Sequence, residues 1–246
     1  MKFAIISAGE GSRLSQEGIQ VPKPLVRLNG EAMIDRLIRI FTDCEAEEVV
    51  VIVNNLTSLV QEHLNRMDSK VPLKVVVKTT PSSMHSFYEL SPYLGEGKFC
   101  LTTVDTVFRE DEFKEYIEEY RSSDYDGMMA VTDFIDDEKP LYVSTNKKLD
   151  ITGFYDSMED FLQNEANQVQ HAECRFISGG IYCLDGKSIQ TLHRCMEQGM
   201  SRMRNFQRQL VADGLRLKAR PFSKILDVDH ASDIVKAEEF LISSTK

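Results

Sequence analysis

The chain has 246 residues, 42% hydrophobic and 28% charged, which is enough apolar material for one substantial α/β core. Its net charge of −10 argues against a nucleic-acid-binding surface, and it means that a polyanionic ligand has to be held by local positive charge. No apolar run approaches the roughly 18 residues of a membrane span and the sequence opens on a strand, so neither a membrane partner nor a signal peptide is expected.

In chain order, the apolar run Phe3–Ile6 has the length of a buried parallel strand. It empties into Ser7-Ala8-Gly9-Glu10-Gly11-Ser12-Arg13, small residues whose main chain can approach a bound group closely. Gly9 and Gly11 can take positive φ, and successive N–H groups in such a loop converge on phosphate oxygens. Arg13 adds a permanent positive fork, and Lys23 is braced between Pro22 and Pro24. Strand, anion loop, arginine and braced lysine together suit a nucleoside triphosphate. Better-known glycine motifs do not fit. No Gly-Lys-Ser/Thr follows, position 14 is Leu rather than the third glycine of a dinucleotide fingerprint, and no His-Arg-Asp or Asp-Phe-Gly occurs later.

Helical spacing of apolar residues predicts helices over residues 31–41 and 57–67, and over 83–90, with Ser82 or Ser83 as the cap of the last. Buried strands are predicted over 49–53, 73–77 and 98–104. This alternation predicts a mostly parallel, Rossmann-like sheet with helices on both faces, and ligands of such sheets bind beyond the carboxyl ends of the strands. After Asp105 come a helix over 110–120, a strand over 128–132, an acidic loop over 133–139 and a hairpin over 141–154. A strand over 176–184 contains Gly179-Gly180; helices over 187–200 and 203–213, a strand over 215–222 and a closing helix over 230–242 follow. The five cysteines, at 44, 100, 174, 183 and 195, form no Cys-x-x-Cys pair and read as thiols in a reducing cytoplasm. With no internal repeat and no linker, one domain over 1–246 is expected.

Two groups of carboxylates stand at chemically useful places. Asp105 ends the strand Phe99-Cys-Leu-Thr-Thr-Val, on the same sheet edge as the glycine loop. A carboxylate there can hold a hard divalent ion, or simply cap the turn that follows. Asp227 and Asp229 lie two residues apart, so on an extended strand they share a face. Asp233 falls in the first turn of the last helix, where its charge suits the helix dipole.

The pairing of Gly-Glu-Gly-Ser-Arg-Leu (9–14) with Pro-Lys-Pro-Leu-Val (22–26) resembles the two-part signature of the nucleotidyltransferase family that includes sugar-1-phosphate nucleotidylyltransferases and phosphocholine cytidylyltransferases. The resemblance implies the α/β fold of the nucleotide-diphospho-sugar transferases and a cytoplasmic enzyme of sugar-nucleotide biosynthesis or a related pathway. It implies a nucleotide-binding half over 1–107, an acceptor-binding half over 108–224, and a metal-ligand segment with closing helix over 225–246. It implies a Mg²⁺ ion shared by Asp105 and one or both of Asp227 and Asp229. Arg13 and Lys23 become the catalytic charges. Ala8, Gly9, Gly11, Ser12, Ser83 and Ser86 join them around the nucleotide, and Gly179 and Gly180 lie on an acceptor strand, unless they only mark a bulge. The chain departs from the family where many members carry a Glu-Lys pair for the sugar phosphate; here Tyr155-Asp156-Ser157 follows. Lys147, Lys148, Arg175, Arg202 and Arg204 are the available substitutes. The expected reaction joins the α-phosphorus of a nucleoside triphosphate to a phosphorylated small molecule and releases pyrophosphate. A glycosyltransferase would lack its usual Asp-x-Asp at Asp105-Thr-Val107 and leave Lys23 without a task. A non-catalytic nucleotide-binding domain would have no reason to keep these charges together.

Overall fold

The computed structural model describes residues 1–56, 58–136, 139–164 and 172–243. Its first half runs β1 (Lys2–Ser7), α1 (Ser12–Gln16), a 3-10 turn over Lys23–Leu25, β2 (Arg27–Leu28), β3 (Glu31–Ala32), α2 (Met33–Asp43), β4 (Val49–Val53), α3 (Ser58–Arg66), β5 (Leu73–Val77), α4 (Ser83–Leu94), β6 (Phe99–Thr103) and β7 (Thr106–Val107). The second half runs α5 (Glu110–Ser122), β8 (Gly127–Thr132), β9 (Tyr142–Thr145), β10 (Ile151–Tyr155), α6 (Met158–Gln163), β11 (Glu173–Leu184), α7 (Gly186–Glu197), α8 (Met203–Ala212), β12 (Leu217–Pro221), β13 (Leu226–Asp227) and α9 (Ala231–Ile242).

Among the described residues nine of these strands form one sheet, in the order β10-β9-β11-β6-β1-β4-β5, with β8 beside β11 and β12 beside β8. β6, β1, β4 and β5 are parallel, with Phe3 facing Val49 and Cys100 across the ladders. The long β11 runs antiparallel to β6, β8 and β9 and so joins the parallel half to the later strands. Side chains alternate across β1. Phe3 and Ile5 enter a core with α2 and α5, where Phe3 stacks on Phe41 at 4.6 Å, while Ala4 and Ile6 enter a second core with Met84 and Phe87 of α4. Burial on both faces explains why β4 reads as an uninterrupted Val-Val-Val-Ile-Val. No helix among the described residues is long and apolar enough to cross a membrane.

A third apolar cluster positions the site. Leu14 of α1, Val26 after the proline-braced turn, Val107 of β7, Leu226 and Val228 around β13, and Phe240 of α9 are buried together. Segments from both ends of the chain are thereby anchored beneath one sheet edge.

Several boundaries differ from the sequence expectation, each for a local reason. The helix expected from residue 31 starts at Met33, because Glu31-Ala32 pairs with Arg27-Leu28 around Asn29 (φ 50°) and Gly30 (φ 88°). That Asn-Gly pair with two positive φ angles is a hairpin turn. The helix expected to end at Leu90 runs on through Pro92 to Leu94. The Tyr88 carbonyl, which has no N–H to accept from at Pro92, accepts instead from Ser91 Oγ at 2.8 Å. α6 was not anticipated; Ser157 Oγ caps it by accepting from Asp160 N at 3.1 Å. Thr57, expected to open the second helix, and Asp137 and Glu138 of the acidic loop lie outside the described residues.

Candidate active site

The carboxyl ends of β1 and β6, with the stretch that follows β5, open into a cleft of about 790 Å³ lined by the Ser7–Arg13 loop, Lys23, Thr79–Ser83, Ser86 and Asp105. Gly11 takes φ 62°, ψ 29° ahead of α1. A Cβ at Gly11 would lie 2.9 Å from the Lys23 Cβ, so glycine is needed here both for its conformation and for the close passage of the lysine. Of the two loop glycines that can take a positive φ, only Gly11 does; a Cβ at Gly9 would meet nothing within 4 Å.

One residue outside the sequence expectation holds this loop. Asn54, buried just past β4, donates from Nδ2 to the Gly9 carbonyl at 3.1 Å, and its Oδ1 accepts from Leu56 N at 3.2 Å. The one signal in the sequence was Asn-Asn immediately after an all-apolar strand. Ser7 also lines the cleft, and among the described residues its buried hydroxyl finds no hydrogen-bond partner.

Lys23 is the centre of the site. Its side chain is only 11% exposed, and Nζ donates to Asp105 Oδ2 and, at 2.7 Å, to Asp229 Oδ1. Burial alone would lower the lysine pKa, but the Asp105 charge and the two hydrogen-bonded carboxylates outweigh it and raise the value above the ordinary one. Burial likewise pushes the Asp229 carboxyl up, and the Lys23 hydrogen bond and charge overcome it to leave the pKa lowered. Arg13, 56% exposed, donates from Nη1 to Asp229 Oδ2 at 2.9 Å.

A short ladder brings the late carboxylate here. Leu226 and Asp227 pair with Val107 and Thr106, and Val228 N donates to the Asp105 carbonyl at 3.1 Å, so Asp229 emerges beside Asp105. Asp233 fixes the turn into α9 by accepting from Asp229 N at 3.2 Å and His230 N at 2.8 Å. Glu17, just after α1, accepts from Ala231 N at 2.6 Å and meets His230 Nδ1 at 2.6 Å. This latch between α1 and α9 had no sequence signal.

Asp227 shares the exposed face of Asp229 but lines a neighbouring cleft of about 330 Å³, together with Phe134, Gly179, Ile225 and Lys236. Arg13 and Asp229 line both clefts, which therefore meet at these two side chains. Among the described residues no group of three or more His, Cys, Asp or Glu side chains is clustered for a metal ion; Asp105 and Asp229 converge as a pair. Gly179 packs so closely that a Cβ would lie 2.2 Å from Ile225 Cδ1, and Gly180 takes φ 71° where the β11 register shifts between Ser178 and Tyr182. The glycine pair is thus a bulge, and its first member also lines the second cleft. Of the nucleotide-loop serines, Ser82 is the α4 cap, while Ser86 Oγ shares a hydrogen bond of 2.6 Å with Thr80 Oγ1. Ser83 is half-buried and Ser12 exposed, and both line the first cleft with Ala8. Lys147, Lys148, Arg175, Arg202 and Arg204 line neither cleft. Arg204 instead pairs with Asp156, and the cations around the second cleft are Arg13, Lys139, Lys236 and the imidazole of His230 if protonated.

A loop of small residues, a lysine held by two carboxylates and a second cleft thus meet at one point. Residues 3–208 match the MobA-like NTP transferase domain. The chain belongs to that family. Bifunctional protein GlmU of Alkaliphilus oremlandii strain OhILAs is 21% identical over 191 residues, covering 77% of this chain and 39% of that protein. A 2-aminoethylphosphonate cytidylyltransferase of Lancefieldella rimae is 26% identical over 111 residues, covering 44% of each. The chain therefore spans about two fifths of the length of the curated relatives it matches. Among solved structures, the inositol-1-phosphate CTP transferase from T. maritima superposes with a TM-score of 0.74 at 16% identity, over 98% of this chain and 97% of that one. The mixed α/β fold with a mostly parallel central sheet is thus that of the NTP transferases.

Proposed function

We propose that this chain is a nucleotidylyltransferase: it transfers a nucleoside monophosphate from a nucleoside triphosphate to a phosphorylated small-molecule acceptor, a sugar 1-phosphate or phosphoalcohol, and releases pyrophosphate. The observation that supports this most is the meeting of two clefts at Arg13 and Asp229, with Lys23 at the junction. The larger cleft, built from residues of 1–107 with Asp229, takes the triphosphate, and the smaller, built mainly from 108–224 and the closing segment, takes the acceptor. Acceptors named for relatives, 2-aminoethylphosphonate and inositol 1-phosphate, are small enough for such a space. The expected setting is the synthesis of activated sugars or headgroups in a reducing cytoplasm; the five free thiols, four of them buried, agree with that redox state.

The donor set at the junction suits Mg²⁺. Asp105 and Asp229 aim hard oxygens at one common point, and magnesium takes one or two carboxylates together with phosphates and water. Asp227 stands within the same segment as the alternative ligand. Such an ion would supply charge neutralisation for the phosphates. The protein's own groups do the rest. An acceptor phosphate is largely ionised at neutral pH, so no catalytic base is needed. Its oxygen forms a bond to the α-phosphorus as the bond to the β-phosphate oxygen breaks, and the electron pair leaves with pyrophosphate. Lys23 neutralises the α-phosphate as charge builds on its equatorial oxygens, while Arg13 and the Gly9–Ser12 amides hold the departing group. Ser83 and the helix start at α4 face the base.

The test is to incubate the protein with a divalent ion, each NTP in turn, and a panel of phosphosugars and phosphoalcohols, following pyrophosphate. Pyrophosphate that appears only when ion, NTP and phosphorylated acceptor are all present supports the reading. Transfer from a sugar nucleotide to an alcohol without pyrophosphate would overturn it.

A further inference from the structure

We infer that Lys23 has a second role, in the protein before nucleotide binds. Its ammonium occupies the cation position between Asp105 and Asp229, so a divalent ion joins the site together with the nucleotide rather than ahead of it. Naming the nucleotide as the trigger rests on the proposed function; the competition between ammonium and metal does not.

Charge at the junction is balanced. Lys23 Nζ donates to Asp105 and to Asp229, and Arg13 Nη1 donates to the other oxygen of Asp229. Two positive and two negative groups leave no excess field to draw in a divalent ion. Of the charges around it, Glu17 pairs with His230, and Lys236 with Asp136 and Asp233. The lysine is also held in place. Pro22 and Pro24 flank it, its Cβ passes Gly11 at a distance no other residue there would allow, and the stem is largely buried. A metal ion arriving alone would have to strip both partners from a buried ammonium, which leaves an uncompensated charge. A triphosphate changes the exchange, because its oxygens can take over Lys23 and Arg13 as the carboxylates turn to the metal. Metal and nucleotide then favour each other's binding, and the coupling is reciprocal.

The experiment is an electron paramagnetic resonance titration of the nucleotide-free full chain with Mn²⁺. Wild type should bind weakly. Lys23→Met, which keeps the stem and removes the charge, should bind on the order of tenfold or more tightly, because a unit charge is lost beside a divalent site. Adding Asp105→Asn to Lys23→Met should erase the gain. Arg13→Gln, at an exposed side chain, should gain by a smaller factor and stands in if Lys23→Met does not fold. Wild type binding Mn²⁺ as tightly as Lys23→Met, or no gain in Lys23→Met and Arg13→Gln, would overturn the inference. No nucleotide is present in the titration, so its failure is separate from failure of the proposed reaction.

Discussion

Lys23, Asp105 and Asp229 form one electrostatic unit, so changes to each should have distinguishable effects. Lys23→Ala should lower kcat by on the order of a hundredfold or more, the range for losing one preorganised charge. Nucleotide affinity should fall less, since Arg13 and the loop amides remain; an unchanged kcat with only a raised KM would reduce the lysine to uniform binding. Asp105→Asn and Asp229→Asn should each abolish turnover at limiting Mg²⁺, whereas Asp227→Asn should mainly raise the acceptor KM, because Asp227 lines the second cleft. Equal loss in all three would contradict that separation. Gly11→Ala forces a side chain into a left-handed residue against Lys23 Cβ and should cost about 1 kcal/mol or more in urea unfolding. At this scale the convergence of Lys23 with Asp105 near Arg13 was legible, because proline bracing and a strand end are local facts. That Asp229 rather than Asp227 meets Lys23 was not, since strand alternation puts both on one face and only the antiparallel pairing of β13 with β7 separates them. Asn54 and Glu17 act through main-chain groups distant in sequence, and no residue pattern announces that.

Elements carry the stability that keeps this junction aligned. Asp126, at the start of β8, accepts from Lys187 Nζ at 2.6 Å and from Arg216 N at 2.7 Å, tying α7 and the approach to β12 to the sheet. Burial pushes its carboxyl up, but the lysine and the backbone donor overcome that and hold the pKa below the usual value. A depressed folded-state pKa contributes stability that is present above the ordinary carboxylate pKa and lost as pH falls through the folded value. Asp126→Asn should therefore lose about 1–3 kcal/mol at neutral pH, with the gap to wild type closing below about pH 4. A gap that stays constant down to pH 3 in urea titrations would rule this out. Tyr116 donates to the Met128 carbonyl at 2.6 Å and accepts from Cys183 N at 2.8 Å in full burial. Tyr116→Phe should cost a similar about 1–3 kcal/mol with kcat little changed, as read by matched unfolding curves and assays. The parallel half was legible because βαβ alternation imposes it. β3 hid inside the helix expected over 31–41 and β2 just ahead of it, because two-residue strands carry no periodicity, and α6 hid because six residues are too few for an apolar stripe.

Across the whole molecule, a chain of net charge −10 concentrates its useful positive charge where two clefts meet. The glycine-loop side of the larger cleft follows from the sequence because Ser7–Arg13 is one contiguous loop. The smaller cleft does not, because its cations Lys139 and Lys236 are contributed by a loop and the last helix, which only the folded chain brings together. The measurement that bears most directly on the reading is the fate of an α-phosphorus label. With [α-³²P]NTP, a divalent ion and a phosphorylated acceptor, the label should appear in a product resistant to phosphatase, in step with pyrophosphate. The dephosphorylated acceptor should give none. Label that stays with the nucleotide, or moves equally well to an acceptor lacking phosphate, would contradict the assignment.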